Sequence, residues 1–240
     1  MRRRTVLAAA ISLGATAGCA QTLQQERPTM TTSALPLRQH TIAPIGAAAA
    51  IGDIPLLTQA LNDGLDAGLS ISDAREILVQ LYAYAGFPRS LNALGALMTV
   101  LDARRQRGMQ DTAGREPGPV PTGKELLALG TANQTKLSGA PVKGVLFDFS
   151  PAIDEYLKTH LFGDIFGRDN LDWQSRELAT VGALSALAGV ESQLQAHVRI
   201  SLNVGLTLPQ LRSAADALGE RGPAGAAQRL RAALDQAKPG

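Results

Sequence analysis

The chain is poorest in sulfur: Cys19 is the only cysteine in 240 residues. One thiol can neither close an internal disulfide nor form a redox-cycling pair, so dithiol chemistry is excluded. Histidine is almost as scarce. His40, His160 and His197 are dispersed, with none of the spacings of a metal site, and no metal is expected. Aromatic residues make up 4% of the chain against 45% hydrophobic residues, so the core has to be built from Ala, Leu, Val and Ile. Basic surplus is missing too: the formal net charge of +2 falls to −1 once residues 1–18, which carry Arg2, Arg3 and Arg4 and no acid, are set aside. Nucleic acid is therefore not an expected partner.

The chain opens with "MRRRTVLAAAISLGATAGCAQT". The apolar run from Val6 to Ala17 falls short of the ~20 residues that cross a bilayer, and behind three arginines it reads as an export signal over 1–18. Arg3 and Arg4 also resemble a twin-arginine signal. Thr16-Ala17-Gly18-Cys19 resembles a bacterial lipobox, with Cys19 as the lipidated residue of an exported, periplasmic protein held to the membrane through that lipid. Cleavage near Ala17 or Ala20, releasing a soluble product, is the alternative. Residues 19–40 are polar, Pro-containing and aperiodic, and read as a flexible tether that includes His40.

From there an all-α chain is expected. Leu57, Leu61 and Leu65 give a helix from Ile54 to Ala67, stopped at Gly68. Ser70 and Asp73 form a capping pair for a helix over Ser72–Tyr84, and Phe87-Pro88 opens one over Arg89–Arg105. Further helices are expected over Lys124–Leu137 and Ala152–Phe166, separated by a loop around 139–149. Gln174–Ala188 is nearly all apolar beyond Glu177, as in a helix buried on all sides. A shift of 137 places Gly52, Leu57, Leu65, Gly68, Leu69, Arg75 and Leu81 on Gly189, Leu194, Leu202, Gly205, Leu206, Arg212 and Leu218. Two copies of one helical unit are therefore expected: residues 41–105, a linker at 106–123, and residues 124–240. The copies differ, since His197 falls on Ala60 and the aromatic segment "YAYAGFPRSLNAL" has no aromatic counterpart.

"LFGDIFGRDNLDWQSRELATVGALSALAGVESQLQAHVRISLNVGLT" resembles the carboxymuconolactone decarboxylase family, with its Arg-Glu-Leu helix start, apolar helix, and histidine before Asn-x-Gly. "AREILVQLYAYAGFPRSLNAL" is similar to the segment that follows that motif in single-copy members. The resemblance implies an alkyl hydroperoxidase D-like helical bundle, a homo-oligomer, and cofactor-free acid/base decarboxylation of a small carboxylated lactone or related acid. The Cys-x-x-Cys pair of the peroxidase branch is replaced here by "AGVESQLQAH", so thiol peroxidase activity is not expected and a thiol-independent one is the least favoured reading. A non-catalytic, lipid-anchored binding or assembly protein of the same fold is the alternative from another class.

His197 suits proton transfer by side-chain type, or else is a buried histidine bonded to backbone. The resemblance makes Glu177 its partner in an acid/base relay; read alone, Glu177 complements a helix dipole. Arg176 and Arg199 are candidates to hold a substrate carboxylate, with solvated surface positions as the alternative. Tyr82 and Tyr84 lie two apart and face different directions on a helix, so at most one, taken as Tyr84, lines the same pocket. Trp173 reads as packing, and His160 carries no assigned role.

Overall fold

The computed structural model describes residues 34–237, which are helical with no strand; the expected export signal and Cys19 lie outside them. The tether reading runs too far. Leu35 is already buried and a first helix, α1 (Leu37–His40), leads through Thr41 into α2 (Ile42–Ile51), so the folded part begins about five residues earlier than composition implies.

Helix α2, "IAPIGAAAAI", has no polar side chain and buries nine of its ten residues. It packs along α10 (Trp173–Ala186), which is buried without a break from Ser175 to Ser185. Small side chains let the two backbones nearly touch: a Cβ on Gly46 would stand 2.4 Å from the carbonyl oxygen of Ala179, and one on Gly182 would stand 2.3 Å from that of Ala43. These contacts pair rising numbers on one helix with falling numbers on the other, so the helices run antiparallel. Around this pair lie α3 (Ile54–Asp66), α4 (Ile71–Gln80), α5 (Tyr82–Ala85) and α6 (Phe87–Gln106) on one side. On the other lie α11 (Glu191–Asn203), α12 (Leu208–Arg221) and α13 (Ala226–Gln236).

Helix starts recur at the expected offset. Helices α3 and α4 begin at 54 and 71, α11 and α12 at 191 and 208. Gly68 and Gly205 adopt φ of 94° and 96°. Ser70 with Asp73, and Thr207 with Gln210, each close a reciprocal capping box that satisfies two otherwise free N–H groups.

Three expected boundaries shift. The helix foreseen over Ser72–Tyr84 breaks at Leu81 into α4 and α5. The loop at 139–149 contains a short helix, α8 (Val145–Phe149), after α7 (Gly123–Ser138). The helix foreseen over Ala152–Phe166 is α only as far as α9 (Pro151–Tyr156), and then widens to a π-helix over Leu157–Ile165. The π segment packs on α7 and, with α11, encloses a second small core of Leu137, Leu161, Phe162, Ile165, Phe166 and Ile200, with Tyr82 and Tyr84 at its edge.

Candidate active site

Asp172 starts α10 by accepting a hydrogen bond from the Ser175 amide at 2.8 Å, which sets Arg176 at the end of the first turn and Glu177 just beyond it, on a helix with no exposed face. Glu177 is fully buried. Its Oε2 lies 2.8 Å from Nδ1 of His197 on α11, a histidine 8% exposed. A carboxylate on Nδ1 holds that nitrogen as the donor and leaves Nε2 as the atom free to exchange a proton. From the other side α5 brings Tyr84 edge-on to the imidazole, with ring centroids 5.5 Å apart and planes at 81°.

Two polar atoms here, Glu177 Oε1 and the Tyr84 hydroxyl, are buried with no hydrogen-bond partner among the described residues. Buried polar groups are nearly always satisfied, so orphans beside an acid/base pair suit a bound ligand or solvent. Burial, and then the Glu177 charge, push the Tyr84 phenol above its ordinary range. It stays protonated at neutral pH and can act as a donor.

The structure brings Glu177, His197 and Tyr84 together, with Arg176 buried close to Tyr84 and Arg199 on the surface. Arg176 is 0% exposed, which corrects its surface reading, and its Nε has no hydrogen-bond partner among the described residues. Its guanidinium donates to Glu76 Oε2 at 3.2 Å, the Arg168 carbonyl at 3.0 Å and Gln80 Oε1 at 3.3 Å. Burial pulls its pKa down while Glu76 opposes that shift. The cation is occupied in tying α10 to α4. Arg199 is exposed and lines a groove of about 690 Å³ with Ser138, Ala196, Ile200 and Asn203, to the side of His197. No hydrogen bond joins it to the pair among the described residues.

Sequence reasoning missed Glu76, Gln80 and Arg168. Arg168 donates two bonds of 2.7 and 2.8 Å to Glu76, and Gln80 donates to the Arg176 carbonyl and to Thr180 Oγ1 at 2.7 and 2.9 Å. A signal existed: Glu76, Gln80 and Tyr84 are spaced four apart, one polar stripe on an amphipathic helix. Trp173 packs as expected, its Nε1 donating to the Phe166 carbonyl at 3.0 Å. Among the described residues no cluster of His, Cys, Asp and Glu could hold a metal, and no helix is long and apolar enough to cross a membrane.

No curated protein matches the chain. Its C-terminal part does have a recognisable relationship: residues 151–239, the segment that carries both Glu177 and His197, match the model of the carboxymuconolactone decarboxylase family.

Proposed function

We propose that the protein is an exported, cofactor-free acid/base enzyme resembling carboxymuconolactone decarboxylase and acting on a small carboxylated lactone or related acid. The observation that carries this reading is the buried Glu177–His197 hydrogen bond of 2.8 Å with two unpaired polar atoms beside it. In this chemistry the carboxylate carbon–carbon bond breaks, carbon dioxide leaves, and the electron pair passes into the conjugated carbonyl as a dienolate. The Tyr84 hydroxyl donates to the developing oxyanion, and His197 Nε2 returns a proton to carbon while Glu177 steadies the imidazolium. Arg199, in its groove, meets the substrate on its way in.

The proposal extends to architecture. Two tandem copies of one helical unit, supported by the recurring helix starts and capping boxes, share one site per chain, since Tyr84 comes from the first copy and the Glu177–His197 pair from the second. Lipidation at Cys19 holds the protein on the periplasmic side of a bacterial membrane. Exposed Leu91 and Met98 along α6 suit burial in a homo-oligomer. The partners are a small molecule and further copies of the chain, with no nucleic acid.

One observation favours the second reading, a non-catalytic binding or assembly protein. The acid/base pair is 0% and 8% exposed, and the larger grooves are lined by other residues. A lactone and keto-acid panel assayed for carbon dioxide release separates the two. His197→Gln is expected to keep the helical signal and lower turnover by ~10²–10⁴-fold. A wild-type chain inert on the panel, with His197→Gln lowering the melting temperature sharply and ligand binding not at all, overturns the enzymatic reading.

A further inference from the structure

Tyr82, two residues before Tyr84, points away from the buried pair and into a different constellation. Its ring stacks on Phe87 with centroids 4.5 Å apart and planes at 11°. Its hydroxyl is in hydrogen-bonding contact with Nε2 of His160 on the π segment. On the far side of that imidazole, Nδ1 lies 2.7 Å from Asp164 Oδ2. The His160 and Asp164 side chains are 51% and 45% exposed and Phe87 is 61% exposed, so the group is open to solvent where Glu177 and His197 are not.

The order of atoms is hydroxyl, imidazole, carboxylate. A nucleophile within reach of a base that a third group orients is the arrangement by which hydroxyl nucleophiles are activated. With Asp164 accepting from Nδ1–H, His160 Nε2 presents its lone pair to the Tyr82 proton. The exposed Phe87 ring beside it is a ledge for a flat apolar group. The three functional residues are drawn from α5 and from a π-helical turn, an irregularity common at functional sites. No part of the decarboxylation above uses them.

We infer that Tyr82, His160 and Asp164 form a second, surface acyl-transfer centre, in which Tyr82 accepts the acyl group of small aryl esters. Tyr82 Oη bonds to the ester carbonyl carbon as its proton passes to His160 Nε2. The carbon–aryloxy bond breaks, and the leaving aryloxide takes that proton from His160. Water, deprotonated by the same nitrogen, then cleaves the acyl–Tyr82 ester and restores the phenol. Tyr82 and His160 touch the reacting atoms; Asp164 is a positioning residue.

The chain supplies its own controls, because its other tyrosines are Tyr156, 64% exposed and without such a relay, and Tyr84, whose hydroxyl is buried. The full chain is treated with p-nitrophenyl acetate, sampled in time, and each tyrosine followed by peptide mass spectrometry. Tyr82 is expected to be acetylated about 10²-fold faster than Tyr156, the low end of what a positioned base supplies. Tyr84 stays unmodified, reporting an intact fold in every variant. His160→Gln brings Tyr82 down to the Tyr156 rate. Asp164→Asn lowers it about tenfold or more, and Asp164→Glu restores most of it, a rescue that a merely structural carboxylate does not require. Equal rates at Tyr82 and Tyr156 in the wild type, or a Tyr82:Tyr156 ratio unmoved by His160→Gln, overturn the assignment.

Discussion

Replacing Glu76 by glutamine tests the tie between α4 and α10. The Glu76 side chain is 1% exposed and accepts from Arg168 at 2.7 and 2.8 Å and from the fully buried Arg176 at 3.2 Å. Glutamine keeps the shape and removes the charge. Arg176 is then left with two neutral acceptors, Gln80 Oε1 and the Arg168 carbonyl. Stranding one member of a buried ion pair costs about 3–5 kcal/mol. Because Arg168 is 32% exposed and can rehydrate, the low end, about 3 kcal/mol, is the expected loss. At about 2–4 °C per kcal/mol for a chain of this size, the melting temperature falls by about 6–12 °C, read by circular dichroism at pH 7. Arg176→Met added to Glu76→Gln removes the stranded cation and is expected to recover part of that fall.

The pH dependence has a definite sign. Burial raises the Glu76 carboxyl, but the Arg168 hydrogen bond and the charges of Arg176 and Arg168 outweigh it and leave its pKa below the ordinary 4.5. A depressed folded-state pKa contributes stability that is fully present above the unfolded value and lost as pH falls through the folded one. The gap between wild type and Glu76→Gln is thus constant from pH 7 to about 5 and closes on further acidification. A melting temperature within about 2 °C of wild type at pH 7, or a double variant no more stable than Glu76→Gln, refutes the reasoning.

Gly182→Ala drives a methyl group against the Ala43 backbone, which cannot rotate aside, and is expected to cost about 1–3 kcal/mol or more in urea unfolding; unchanged stability shows that α2 can slide. Intact-mass analysis of membrane-associated protein is expected to find a lipid-modified N-terminus at Cys19, and an unmodified terminus elsewhere removes the anchor. Light scattering at micromolar concentration is expected to return a multiple of the 25.1 kDa chain; a clean monomer shows that the apolar face of α6 has another use.

What the sequence discloses depends on how local the cause is. The capping boxes at Ser70 and Thr207 close within four residues, so their chemistry is readable from the chain alone. The burial of α10 follows from its lack of a polar face. Glu177 and His197 stand out by residue type, although their 2.8 Å approach depends on how α10 and α11 pack. Arg176 illustrates the opposite case. Its counterion Glu76 is a hundred residues away, and an arginine whose partner is out of sight reads as a surface charge. The π turn is hidden for another reason: its apolar residues, Leu157, Leu161 and Ile165, repeat every four, a spacing that ordinary helices share. Helix α1 was lost to composition, since "LRQH" differs little from the tether before it.

The backbone contact between α2 and α10 also sets a schedule for synthesis. Gly46 leaves the ribosome about 130 residues ahead of Ala179, its partner. At 5–20 residues per second that is a delay of roughly 7 to 27 s. During this interval α2, a ten-residue segment with no polar side chain, has α3 to α6 to pack on but lacks α10, the helix that lies along it. The nascent chain therefore carries a partly uncovered apolar face until most of it has been made. A chaperone that binds exposed apolar segments has its longest opportunity there, and crowding of unfinished chains through α2 is the aggregation route to expect on overexpression.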